Sequence, residues 1–95
     1  MLNRKQYLLL CLAEELGEVQ KEVIKCLRFG LHNSPGEGLQ TNFERLQDEW
    51  SELIGVIMLL EKDGVVIEEV AQLVDAKIKR TEQYYQFAQT LDQVE

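Results

Sequence analysis

Between Asn3 and Phe29 the chain has no proline and a single glycine, Gly17. An unbroken run of that length constrains the fold more than any other feature. Leu9, Leu12, Leu16, Val19, Val23 and Leu27 recur within it at steps of three and four, the spacing of one helical face. Gly30 stops this helix, with Lys25 and Arg28 near the end where cations suit the free carbonyls. Leu31 to Gln40 is a loop by composition, holding Pro35, the sole proline of the chain, with Gly36 and Gly38 beside Asn33 and Ser34. Thr41-Asn42-Phe43-Glu44 fits a capping box that opens a second helix. Phe43, Leu46, Trp50, Leu53, Ile57 and Leu60 carry it to Asp63-Gly64. Val66, Val70, Leu73, Val74 and Ile78 mark a third helix reaching Leu91, with Tyr84, Tyr85 and Phe87 as core or docking surface. Two long helices joined by a modest loop pack antiparallel. The expected fold is therefore all-α: one domain, residues 1–95, built as an antiparallel helical bundle of about three main helices. A chain of 95 residues buries only roughly 60–68% of its unfolded surface. Much apolar surface is left over, so oligomerisation should complete the bundle, with Leu8, Leu10, Ile54 and Met58 among the contacts.

Charge excludes whole classes of function. The net charge is -7, the wrong sign for a nucleic-acid polymer or an anionic membrane surface. A divalent cation can still bring phosphates to an acidic protein by reversing the local sign. The longest apolar run, Tyr7 to Ala13, is far short of the ~20 residues of a membrane span. Arg4 and Lys5 precede it, but Glu14 and Glu15 follow where a secretory leader would have small residues, so a cytoplasmic location is expected. Cys11 and Cys26 then read as buried thiols in a reducing compartment. One histidine and no Cys-x-x-Cys leave no basis for structural zinc. That histidine, His32, reads as an exposed loop residue, and Trp50 as core.

The acids carry the functional signal. Glu15 and Glu18 are three apart on the first helix, and Glu49 and Glu52 repeat that spacing on the second. Each acid stands one residue before an apolar one: Leu16, Val19, Trp50 and Leu53. In both helices the pair lies about 100° of rotation from the apolar stripe. When the stripes pack, the pairs should meet on the shoulder of the interface. Four carboxylates there repel one another unless a hard cation is held between them, and Mg2+ or Mn2+ suits an all-oxygen set. Glu22 and Asp48 are further acids that could take part. Against this stands the common solvated acidic helix face.

Glu14-Glu15-Leu16-Gly17-Glu18, followed by Asp48-Glu49-Trp50-Ser51-Glu52-Leu53, resembles the MazG-like all-α nucleoside triphosphate pyrophosphohydrolases. That family carries E-x-x-E on one helix and E-x-x-D on the next. Cys26-Leu27-Arg28-Phe29-Gly30-Leu31 and the loop to Asn42 are similar to its small single-domain members, so the likeness runs from Leu10 to Arg80. The resemblance implies Mg2+-dependent hydrolysis of a nucleoside triphosphate to a monophosphate and pyrophosphate, in control of the nucleotide pool. It implies Glu15, Glu18, Glu49 and Glu52 as metal ligands and catalytic groups, one of them the base. It also implies Lys77 and Arg80 as cations against the phosphates, and a homodimer or homotetramer. Glu52 stands where the family has Asp; its extra methylene would move the ion or its water. A nucleotide-binding sensor of low turnover, or a non-catalytic helical module that self-associates or binds a partner, remain the alternatives.

Overall fold

The computed structural model describes residues 1–95 as three helices and no strand: α1, Arg4–Phe29; α2, Asn42–Lys62; and α3, Ala71–Thr90. The all-α expectation holds. Each of the first two helices begins with reciprocal caps. Asn3 Oδ1 accepts from the Gln6 N–H at 2.8 Å while Gln6 Oε1 accepts from the Asn3 N–H at 3.0 Å. Thr41 Oγ1 and the Glu44 carboxylate exchange the equivalent bonds at 3.1 and 3.0 Å. α1 ends at Gly30, whose φ of 96° and ψ of 145° suit only glycine, and its N–H closes on the Cys26 carbonyl at 2.9 Å.

α1 and α2 form an antiparallel hairpin. The loop end is locked through Asn42, which is buried. Its Nδ2 donates to the Gly30 carbonyl at 2.9 Å, and its backbone N–H donates to Asn33 O at 2.9 Å. Thus the first residue of α2 satisfies a carbonyl orphaned at the end of α1. At the open end Arg4 pairs with Asp63 at 2.6 Å. The pair is exposed, so it sets register more than stability.

The face along which the helices pack differs from the expected stripe. On α1 Leu8, Leu12, Glu15, Val19, Glu22 and Cys26, all buried or half-buried, follow one another at alternating steps of four and three, with Cys11 and Lys25 half-buried beside them. On α2 the buried and half-buried residues are Asn42, Leu46, Glu49, Leu53, Val56 with Ile57, and Leu60. That is the narrow seam of a two-helix contact. Leu12, Val19, Leu46, Leu53, Ile57 and Leu60 belong to both patterns. Leu9, Leu16, Val23, Leu27, Phe43 and Trp50 do not; they stay exposed along one flank. Trp50, 55% exposed, is not core. It lines a cleft of about 460 Å³ with Val19, Val23, Phe43 and Leu46. Cys26 is buried as expected, whereas Cys11 is only half-buried. Leu8 is in the seam, while Leu10, Ile54 and Met58 are exposed.

α3 does not join the bundle. It packs against neither α1 nor α2, and almost all of it is exposed. It begins later than expected, because Val66 and Val70 fall in the extended segment before it. No side chain caps its start, and its far end folds back through Gln89 Nε2 to the Glu95 carbonyl at 3.0 Å. Within one chain the architecture is therefore a hairpin with a detached third helix. The buried apolar core is Leu8, Cys26, Leu53 and Leu60 alone. No helix is long and apolar enough to cross a membrane.

The Gly30 turn gives a direct test of how the hairpin is held. A Cβ at this position would meet Asn33 Nδ2 at 2.9 Å, on a backbone that already disfavours side chains. Gly30→Ala should therefore cost about 1–3 kcal/mol, read as a drop in melting temperature. An unchanged melting temperature would show that the chain leaves α1 by another route.

Candidate metal centre

The seam register moves the glutamates inward. Glu15 and Glu22 are two turns apart on α1 and occupy seam positions in place of apolar residues; Glu49 does the same on α2. Three residues on from Glu15 and Glu49, Glu18 and Glu52 sit at the seam's edge and are exposed. The acids are thus not two pairs on a shoulder, as the spacing suggested. One member of each pair is tucked between the helices and the other borders it.

Glu15, Glu49 and Glu52 come together: one carboxylate oxygen from each lies within 4.8 Å of the others. Glu15 Oε2 and Glu49 Oε2 are buried without a hydrogen-bond partner. Orphaned buried oxygens are costly unless something outside the protein satisfies them. Glu49 is held protonated to higher pH than an ordinary glutamate. Burial of its carboxyl is the largest cause; next come the charge of Glu52 and a hydrogen bond with it, and then the charges of Glu15 and Glu18. Glu18 is therefore within electrostatic reach of the cluster, though outside the three-oxygen group.

This donor set fits a hard divalent cation. It is all oxygen, it draws on two helices, and it is open to solvent on the Glu52 side, which leaves room for water ligands. With no cation among the three, the crowding falls on Glu49, whose carboxyl holds its proton to higher pH.

The remaining expected residues divide. Asp48 points elsewhere and accepts from Gln40 Nε2 at 2.9 Å. Glu22 lies outside the three-oxygen group and is 3% exposed; Lys25 reaches it at 3.4 Å and Arg45 at 3.8 Å. Lys77 and Arg80 are exposed on α3, so within one chain nothing brings them to the glutamates. His32 is exposed in the loop and stacks edge-on against Phe43 at 6.2 Å, as a loop histidine with no part in the cluster.

The pattern reading missed Arg45 and Lys25. The signal that finds them is position: Arg45 precedes Glu52 by seven residues and Lys25 follows Glu18 by seven, which places each on the acid side of its helix. Compared with family models, with curated proteins and with solved structures, the chain matches none.

The crowding of Glu49 has a measurable consequence. Its folded pKa lies above the ordinary 4.5, so the folded state binds the proton more tightly than the unfolded state. In metal-free buffer, stability should then fall as pH rises through 4.5 and through the raised value. Glu49→Gln should remove that fall and leave the protein more stable at neutral pH. Parallel curves for the two proteins would mean that the carboxyls do not crowd one another.

Proposed function

We propose that this chain is a metal-dependent hydrolase of the MazG-like kind, releasing pyrophosphate from a nucleoside triphosphate. What chiefly supports the reading is the trio of oxygens from Glu15, Glu49 and Glu52 within 4.8 Å, two of these residues carrying a buried oxygen without a partner. The motif likeness adds to it: Glu15-x-x-Glu18 and Glu49-x-x-Glu52 lie on neighbouring antiparallel helices.

In this reading Glu15, Glu49 and Glu52 hold Mg2+, or Mn2+ in its place. The ion supplies charge neutralisation at the phosphate oxygens and makes water more acidic. Glu18 is exposed beside the cluster and free of a protein partner, so it takes the proton from the attacking water. Glu49, once a cation faces it, gives up its tendency to hold a proton and becomes a full ligand. The extra methylene of Glu52, relative to the usual Asp, is accommodated because this side chain approaches from the solvent side.

The assembly is proposed to be a homodimer or homotetramer, closed by the apolar flank that carries Leu9, Leu16, Val23, Phe43 and Trp50. Those side chains lie together on one face, which a solitary hairpin leaves in water. Sedimentation should give a species of at least twice 11.0 kDa. An 11.0 kDa particle at working concentration would remove this part of the proposal.

The deciding experiment is pyrophosphate release from a panel of nucleoside triphosphates with Mg2+ present. Release that stops with chelator, and that falls to background in Glu15→Gln, supports the reading. No release with any base at micromolar protein sinks it. Stabilisation by Mg2+ and a nucleotide analogue, without turnover, would leave a nucleotide sensor in its place. Glu18→Gln should retain Mn2+ binding, seen by electron paramagnetic resonance, yet lose on the order of 10²–10⁴ in turnover. Loss of Mn2+ binding in that variant would make Glu18 a ligand instead of the base.

A further inference from the structure

On the same flank as the glutamates, next to the loop, lies a cavity of about 530 Å³ walled by Lys25 and Arg45 and floored by Asn42. Its size falls in the range of small-molecule sites. Two cations facing one cavity stand against the charge of a chain that is -7 overall. At about 1.5 Å of rise per residue, Arg45 lies about 6 Å along α2 from Glu49, and Lys25 about 10 Å along α1 from Glu18. A triphosphate chain can cover that interval.

Glu22 holds these cations in place. It is 3% exposed, with Oε1 at 3.4 Å from Lys25 Nζ and Oε2 at 3.8 Å from Arg45 Nε. The second separation is too long for a hydrogen bond, and Oε2 is buried without a partner. The Arg45 guanidinium therefore keeps its fork of N–H donors free, although its charge is anchored. Asn42 is 6% exposed and already donates to Gly30, which makes the floor rigid. A planar fork beside an ammonium, with most donors unspent, is suited to oxygens of a polyphosphate.

We infer that Lys25 and Arg45 form a seat for the β- and γ-phosphates of the substrate, the part that leaves as pyrophosphate, with Glu22 as the positioning residue beneath them. This rests on the reading of the acid cluster as a metal–triphosphate centre. It gives Lys25 and Arg45 the role that spacing had suggested for Lys77 and Arg80. Arg45 exchanges a long contact with Glu22 for charge-assisted hydrogen bonds to phosphate, and Lys25 adds charge where it accumulates on the leaving group.

Inorganic tripolyphosphate is the probe, titrated calorimetrically into the full chain with Mg2+ and, separately, with chelator. Arg45→Gln alone strips a buried carboxylate of a partner and endangers the fold, so the double variant Glu22→Gln/Arg45→Gln carries the test beside Lys25→Gln. Both should weaken binding about tenfold or more, as expected for lost hydrogen bonds to a charged group. Glu22→Gln alone should also weaken binding, but by less than the double variant, because both cations remain while the carboxylate that positions them is gone; binding equal to that of the parent would remove Glu22 from the seat. Lys77→Gln/Arg80→Gln should match the parent. Absent binding in both buffers, or a smaller loss in the two cavity variants, overturns the seat. Mn2+ binding followed in parallel keeps the two readings apart. Mn2+ bound normally, with tripolyphosphate indifferent to Arg45, removes the seat and leaves the metal centre. No Mn2+ bound, with tripolyphosphate still dependent on Arg45 in chelator, does the reverse.

Discussion

The seam between α1 and α2 is the contact on which everything else in this molecule depends. It is the only helix–helix packing in the chain. Leu8, Cys26, Leu53 and Leu60 supply its buried apolar area, and Glu15, Glu22 and Glu49 take seam positions between them. Carboxylates in such places weaken a two-helix contact by desolvation and mutual repulsion. Glu22 is compensated by Lys25 and Arg45. Glu15 and Glu49 have no such compensation within the chain, and their unpartnered oxygens converge with Glu52. A seam that carried leucine at these positions would be more stable and would have no place for a cation.

From that arrangement follow two flanks of opposite character. One carries Glu18, Glu52, Lys25 and Arg45, with the cavity near the loop. The other carries Leu9, Leu16, Val23, Phe43 and Trp50, all exposed. The first is a charged surface and the second a surface that water disfavours. The helix pair thus separates the proposed polyphosphate chemistry from the proposed self-association, and neither need interfere with the other. The detached α3 fits the same picture: a helix whose apolar residues Leu73, Ile78 and Phe87 find no partner in their own chain.

How much of this was legible in the residues depends on the scale of the signal. The capping box at Thr41, the stop at Gly30 and the loop around Pro35 are local, and they appear where the pattern placed them. The three-four stripe located both long helices but misjudged their contact face. A wide apolar stripe can meet a partner along either margin, and hydrophobicity alone does not say which. The seam ran along the margin that includes Glu15 and Glu49, leaving Trp50 outside. Likewise, Lys77 and Arg80 share a helical face in the sequence, but nothing local could reveal that their helix packs on neither of the others. The start of α3 was also misplaced, since Val66 and Val70 match a helical period while lying in extended chain.

The residue order by itself determined the helices, their ends and the repeated acid spacing, because these rest on backbone hydrogen bonding and periodicity over a few residues. Only the tertiary structure decided which side of each helix faces the other. It thereby decided that Glu15, Glu49 and Glu52 meet while Glu18 stays at the rim, and that Arg45 and Lys25 rather than any residue of α3 stand beside them. The reason is geometric: a rotation of tens of degrees about a helix axis changes no local interaction, yet it exchanges leucine for glutamate at the line of contact.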